Sequence, residues 1–266
     1  MEIEGVLIKM YSEYKSPVLY SLAFADNSHT PLNEAIGKHF SIQFTGEIIC
    51  LSCSKKIKKS YGQGYCYPCF ISVPETEECV LRPELCRAHE GIARNMEWAQ
   101  NHCLQEHVVY LAETSTVKVG VTRGTQVPTR WIDQGARRVV ELARTSNRYE
   151  AGCMEVFLKK YLMDKTNWRD MLSNKEASPQ LLERTRNEVV DLLPDEMRKL
   201  VVEQASVLEF EYPVNHYPTK ITSIGLDKQA FIEGQLEGIR GQYLIFAGGK
   251  VLNIRSHSGY FVKVSW

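Results

Sequence analysis

Four cysteines, Cys50, Cys53, Cys66 and Cys69, are spaced as C-x2-C, twelve residues, C-x2-C. No other feature restricts the fold of this chain as strongly. A C-x2-C turn sets two thiolates on one side of a tight loop, and two such turns close a tetrahedron around Zn²⁺. The intervening Lys55-Lys56-Ile57-Lys58-Lys59-Ser60-Tyr61-Gly62-Gln63-Gly64-Tyr65 suits a short β excursion between the two knuckles. Four sulfurs leave no open coordination position, so the zinc expected here is structural rather than catalytic. The competing reading is four reduced, free thiols.

Seven of the eight cysteines fall between residues 50 and 103. A second set follows the first at looser spacing: Cys79, Cys86, His89, His102, Cys103 and His107. Cys86 and His89 form a C-x2-H pair. The ligand set predicted for a second zinc is Cys79, Cys86, His89 and Cys103, with His107 as an alternative ligand. The bland alternative is buried cysteines beside surface histidines, since free Cys is commonly buried. The first residues, MEIEGVLIKMYSEYK, lack the charged-then-apolar layout of a signal peptide, and no apolar run reaches membrane-spanning length. The expectation is a cytoplasmic chain with no membrane partner, where metal binding is favoured over disulfides.

Residues 108 to 167 hold the second strong pattern. Val108 to Ala112 and Val117 to Val121 are short apolar runs separated by Glu113 to Thr116, which reads as a β-hairpin. After Gly124 and Pro128, the positions Trp131, Ile132, Ala136, Val139 and Val140 fit a helical spacing. A further helix is expected to carry Met154, Glu155, Leu158, Lys159 and Leu162, and to end before Asn167.

This order resembles the GIY-YIG endonuclease domain, over 60 of the 266 residues. Tyr110 matches the Tyr of the first motif, and Lys118-Val119-Gly120 stands where Tyr-Ile-Gly would be. Arg130 matches the Arg that opens the next helix, and Glu155 the metal-binding Glu. Asn167, twelve residues after Glu155, matches the late Asn. The first motif lacks its Gly, Lys118 replaces the second Tyr, and Arg130 lies ten residues past Gly120. The resemblance implies a metal-dependent nuclease. Glu155 would hold Mg²⁺ or Mn²⁺, Tyr110 would orient or deprotonate the attacking water, and Arg130 would bind phosphate. Lys118 would contact phosphate without supplying a phenol oxygen, and Asn167 would support the site. Each residue also has a bland role: Tyr110 covering a sheet, Glu155 pairing with Lys159 at i,i+4, Arg130 lying on a helix surface. The longer pattern VYLA (109–112), VKVGVTR (117–123), TRWIDQGA (129–136) and DKTNWR (164–169), preceded by cysteine pairs, also resembles an uncharacterised bacterial family.

Formal net charge is zero, so no global field steers the chain to nucleic acid. Two segments are locally basic. Lys55, Lys56, Lys58 and Lys59 lie between the knuckles with no acid. Seven basic residues from Lys118 to Arg148 stand against Asp133 and Glu141. Lys55, Lys56, Lys58, Lys59, Arg123, Arg137 and Arg138 are therefore the candidate contacts to DNA or RNA; chance clustering of surface charge is the alternative. No Walker-type phosphate loop and no nucleophilic-serine signature occurs.

The flanks read as β. Residues 1–49 alternate at Val6, Ile8, Met10 and at Val18, Tyr20, Leu22, Phe24, and Asn33 to Gly37 suits a short helical turn. Residues 207–266 hold Gly-punctuated runs. Among these, Ile232 to Leu236 and Tyr243 to Phe246 are expected to pair, with a hairpin at Gly248-Gly249. Ser178-Pro179 reads as a helix start ahead of a 176–206 helical pair. The expected class is α+β: a β-rich segment 1–49, a zinc region 50–107, a GIY-YIG-like small sheet with helices at 108–175, the helical pair, and a β-rich 207–266 that packs with 1–49. The function class is a nucleic-acid-binding protein, either a nuclease of the GIY-YIG type or a non-catalytic zinc-containing adaptor on that scaffold.

Overall fold

A computed structural model describes residues 1–162, 167–175 and 180–266. The fold is mixed α+β and divides into two compact units. One comprises Met1–Ile71, Leu172–Asn174 and Glu211–Trp266; the other comprises Ser72–Met171 and Lys175–Phe210. In chain order the elements are β1 (Glu2–Val6), β2 (Tyr11–Glu13), β3 (Leu19–Ala23), β4 (His29–Pro31), β5 (His39–Ile49), β6 (Lys56–Ile57), α1 (Tyr67–Ser72) and α2 (Met96–His102). Next come β7 (His107–Glu113), β8 (Val117–Arg123), α3 (Thr129–Asp133), β9 (Arg138–Thr145), α4 (Arg148–Leu158), α5 (Trp168–Leu172), α6 (Leu181–Leu192), α7 (Asp195–Arg198) and β10 (Val207–Glu209). The last are β11 (Thr222–Ile224), β12 (Phe231–Arg240), β13 (Tyr243–Phe246), β14 (Lys250–Asn253) and β15 (Tyr260–Ser265). Among the described residues no helix is long and apolar enough to cross a membrane.

The first unit joins the two ends of the sequence. Its main sheet runs β1-β15-β5-β12-β13-β14-β11, with β6 added to β5 and a small β2-β3-β4 sheet beside it. β5 is the hub because Phe40 and Ile42 alternate inward along it, fully buried, while β15 and β12 pair on its two sides. Phe40 stacks on Trp266 at 5.9 Å and packs against Phe246 at 6.0 Å, so chain ends far apart in sequence share one core. β12 changes partner along its length. Phe231–Gln235 pairs with β5, and Leu236–Arg240 pairs with β13. The irregularity falls at Gly238, where an added Cβ would stand 2.6 Å from the Val214 Cα, a position only glycine fills without displacing backbone. The β12–β13 turn lies at Gly241-Gln242, so Gly248-Gly249 connects β13 to β14 rather than closing the 232–246 pair. The turn expected at Asn33 to Gly37 is a 3₁₀ turn, Asn33–Ala35, followed by Gly37 at φ 84°.

The second unit is built on the sheet β10-β9-β7-β8. β7 and β8 form the expected hairpin, in register from His107↔Arg123 to Glu113↔Val117. One core cluster combines Val109, Leu111, Val117 and Val119 of the hairpin with Ala151, Met154 and Leu158 of α4 and Leu182 and Val189 of α6. Two sequence expectations are corrected here. The helix read through Val140 is only Thr129–Asp133: Gly135 turns the chain at φ 72°, and Val139 and Val140 belong to β9, paired with β7. A buried strand and one face of a short helix carry the same apolar run, and Gly135 is the residue that distinguishes them. Likewise α4 stops at Leu158, with Leu162 beyond it. The helix start read at Ser178-Pro179 lies outside the described residues.

Candidate metal centres

The first cysteine set closes as its spacing predicts. The sulfurs of Cys50, Cys53, Cys66 and Cys69 all lie within 4.8 Å of one another. β5 delivers Cys50 at its end, and the pairing of β6 with β5 folds the chain back. Ser54, at φ 58°, completes the first knuckle, and its N–H donates to the Cys50 carbonyl at 2.9 Å. The Cys66 N–H donates to Cys50 Sγ at 3.2 Å and the Cys69 N–H to Cys66 Sγ at 3.5 Å. Donors aimed at sulfur favour thiolate. Burial pushes the Cys50 thiol up, but N–H groups of Cys53, Cys66 and Ser52 outweigh it and hold Cys50 down at about 6. At Cys69 a Ser52 contact pulls the value down, while hydrogen bonding within the sulfur group outweighs it and pushes Cys69 up to about 12. A divalent ion bound by these four sulfurs would deprotonate the set completely.

The second set is different in kind. Cys79, Cys86 and Cys103 bring their sulfurs within 4.8 Å of one another, and all three are buried. Cys79 lies in the 3₁₀ turn Glu78–Val80, Cys86 follows the turn Pro83–Leu85, and Cys103 ends α2. Asn95 caps α2 by accepting the Trp98 N–H at 2.8 Å, and the Cys103 N–H closes its last turn on the Ala99 carbonyl at 2.7 Å. Cys86 is pushed down to about 2, first by hydrogen bonding from Cys103, then from Cys79. The Cys79 and Cys103 thiols move up as they hold the protons.

Two residues that the sequence reading did not assign to this centre hold it in place. Arg148, 8 % exposed, donates to the Cys79 carbonyl at 3.1 Å and the His102 carbonyl at 3.0 Å, and its backbone N–H donates to the Cys103 carbonyl at 2.8 Å. Gly152, one turn on, lets α4 approach the Pro83–Leu85 turn so closely that an added Cβ would stand 2.2 Å from the Glu84 nitrogen. The sequence carried a signal for Arg148. Asn147 caps α4, which puts a cation in the first turn, at the positive end of the helix dipole, where it needs another reason to be.

The predicted histidines separate. His89, His102 and His107 are all outside the close sulfur group; the His89 ring stacks on Tyr149 at 4.4 Å, and its Nε2 lies 3.8 Å from Glu90. His102 stacks on Trp98 at 4.0 Å with Nδ1 on the Trp98 carbonyl at 2.8 Å. His107 is buried, with Nδ1 on the Gln105 carbonyl at 2.8 Å.

The residues singled out on the hairpin gather in part. Tyr110 faces Gly120 across β7 and β8, and a Cβ there would meet the Tyr110 hydroxyl at 2.6 Å. Gln134 donates to that hydroxyl at 2.8 Å, and Trp131 packs on the ring at 5.7 Å. Tyr110 is 1 % exposed. Burial raises its pKa, while the Arg130 charge opposes that rise and the Glu155 charge adds to it. Lys118, opposite Ala112, and Glu155, 3.4 Å from Lys159, are also buried. Asn167 is exposed, and its side chain accepts the N–H of Arg169 at 3.2 Å at the start of α5.

Of the basic residues, Lys55, Lys56, Lys58 and Lys59 are all exposed. Lys56 is bonded to Glu47, and Lys59 lies 5.2 Å over the Tyr61 ring. Arg138 is held by buried Glu113 at 2.5 Å, and Arg144 by Glu106 and Glu141 at 2.8 Å each. Arg123 and Arg137 are half-buried.

A mixed α+β chain with two close cysteine groups of this kind is a protein able to hold metal. It belongs to the DUF2797 family, described as a protein of unknown function, whose profile matches residues 37–262. No curated protein and no solved structure matches the chain.

Proposed function

We propose that this is a zinc-containing nucleic-acid-binding protein in which both cysteine groups hold structural zinc and residues 108–175 form a GIY-YIG-like scaffold. The observation that carries the binding reading is the surface between the two knuckles of the first centre. There Lys55, Lys58 and Lys59 are exposed, Lys59 lies over the half-buried Tyr61 ring, and Tyr61 packs edge-on against exposed Tyr67. Cations that neutralise phosphates next to aromatic faces on which bases stack are the two elements of sequence-tolerant binding to single strands. DNA or RNA would meet this protein there; within the second unit, taken by itself, Arg123 and Arg137 are the candidate phosphate contacts. Affinity for single-stranded DNA and RNA should fall steeply with salt. The triple variant K55Q/K58Q/K59Q should lower the slope of log affinity against log salt by about one per lysine removed. Absence of binding at low salt to single- and double-stranded DNA and RNA alike would overturn the reading.

A second reading, phosphodiester hydrolysis, is favoured by one observation: the charges of Arg130 and Glu155 both act at the Tyr110 hydroxyl. In it Glu155 holds Mg²⁺ or Mn²⁺, Arg130 binds the phosphate, Tyr110 orients the water, Lys118 assists at phosphate and Asn167 supports the site. The near-complete burial of Tyr110 places the binding role ahead of it, because a general base must be reached by the proton it takes. Cleavage that EDTA stops, that Mg²⁺ alone restores and that Glu155→Gln abolishes would establish hydrolysis. Equal cleavage by Glu155→Gln would remove it.

A further inference from the structure

Arg148 is a buried cation, and among the described residues no carboxylate lies within ion-pair distance of it. Its guanidinium bonds only carbonyls there, and its Nε has no partner among the described residues. Carbonyl oxygens solvate a charge without neutralising it, and an uncompensated buried charge is costly enough that such groups are ordinarily paired. The charge that Arg148 faces is therefore to be sought in the three sulfurs whose segments it ties together.

A second unsatisfied group points to the same place. His107 is 2 % exposed, and its Nε2 is buried without a hydrogen-bond partner among the described residues. Its Nδ1 is fixed on the Gln105 carbonyl at 2.8 Å, so Nδ1 carries the proton and Nε2 presents a lone pair. A backbone carbonyl on one ring nitrogen is the usual arrangement that orients a metal-binding imidazole and selects its tautomer. The backbone brings His107 to this region: it pairs with Thr145, three residues before Arg148, whose N–H bonds the Cys103 carbonyl. The Cys86 and Arg148 charges both act on the ring, although no His107 nitrogen lies within 4.8 Å of all three sulfurs before metal is bound. His89 and His102 do not compete. Their rings are stacked on Tyr149 and Trp98, the His89 side chain is 31 % exposed, and among the described residues His107 Nε2 is the one histidine nitrogen that is buried without a hydrogen-bond partner.

We infer that the second centre is a Cys₃His zinc site whose fourth ligand is His107 Nε2 and whose net charge is cancelled by Arg148. This deepens the zinc reading above and rests on it. Three thiolates and one neutral imidazole around Zn²⁺ leave one negative charge, and the guanidinium supplies one positive charge. The site thus gives Arg148 its counter-charge and His107 Nε2 its partner. By contrast, a Cys₄ site carries two negative charges and suits a solvent-facing loop, which is where the first centre's Cys53 lies exposed.

The test uses the unmutated full chain reconstituted with ¹¹³Cd, which replaces zinc and couples to ligand protons. The expected spectrum has two cadmium resonances, one with cysteine couplings only and one that also couples to the ring protons of His107. Coupling to the ring of His89 or His102, or to no histidine, would overturn the assignment while leaving a metal centre in place. A single resonance, from the four-cysteine centre, would remove the second zinc itself. Metal counting supplies an independent arm. His107→Ala should bring zinc from two per chain to one, whereas His107→Cys should restore two. Retention of two zinc ions by folded His107→Ala would overturn the inference. If His107→Ala does not fold, the cadmium spectrum of the parent chain decides alone.

Discussion

The two cysteine groups answer the same ligand problem with opposite surroundings. The first is a surface knuckle: two C-x2-C turns, one buried sulfur, three half-buried or exposed, and backbone N–H groups as its stabilising dipoles. The second collects three buried sulfurs from three separate turns and is tied to α4 through Arg148 and Gly152. Local spacing builds the first, so its geometry needs little from the rest of the fold. Tertiary packing builds the second, so its loss should spread into the hairpin and helix core.

The largest expected effect breaks this comparison if it is wrong. On the proposed Cys₃His reading, Cys86→Ser removes a buried ligand and leaves Arg148 without its counter-charge, and breaking a buried charge pair costs about 3–5 kcal/mol. Cys53→Ser should release one zinc and destabilise the first unit far less, because that sulfur is exposed and sits on a loop. Urea unfolding and zinc content, measured on both variants, check this. Equal losses of stability would abolish the distinction between a locally built and a packed centre.

Gly152→Ala comes next. An added methyl would meet the Glu84 backbone at 2.2 Å, and backbone cannot swing aside as a side chain can. Overpacking of this kind costs about 1–3 kcal/mol. The variant should lose zinc from the second centre on mild chelation while keeping it at the first. Unchanged chelation at both would show that α4 does not hold the Cys86 turn.

The difference between the centres also explains what the sequence made legible. The Cys50–Cys69 geometry is encoded within twenty residues, so its spacing alone predicted the close group. The β7–β8 hairpin was legible for the same reason, being two apolar runs and a short polar link. The second centre joins residues 79 to 103 with a helix at 148–158, and no local pattern says that Arg148 bonds the Cys79 carbonyl. The β9 strand was hidden because its apolar run also fits a helical face, and because its partner β7 lies 25 or more residues earlier in the chain. The pairing of β5 with β12 and β15 depends on contacts across nearly the whole chain, beyond what alternation within each end reveals.

The smallest expected effect compares two buried histidines, one in each unit. His257, 4 % exposed, has both ring nitrogens engaged: Nδ1 on the Asn253 carbonyl at 2.7 Å, and Nε2 accepting the Leu226 N–H at 3.0 Å. His107 has one nitrogen engaged and one unsatisfied. Burial lowers the His257 pKa, against the Asn253 carbonyl and the Asp227 charge, which both raise it. A folded value below the unfolded value of about 6.5 means that the unfolded chain takes up a proton the folded chain refuses. Stability from a neutral His257 is therefore complete above about 6.5 and declines as pH falls below it, so parent protein should lose more stability from pH 7 to 6 than His257→Gln. In NMR spectra the His257 ring should titrate below the ordinary histidine value of about 6.5. Removing metal with a chelator at pH 7 should shift the His107 ring signals and leave those of His257 in place. A His257 ring that titrates near 6.5 would show that its two hydrogen bonds do not hold it neutral. Movement of both rings on chelation would mean that metal supports both buried imidazoles, and that the contrast between the units does not extend to their histidines.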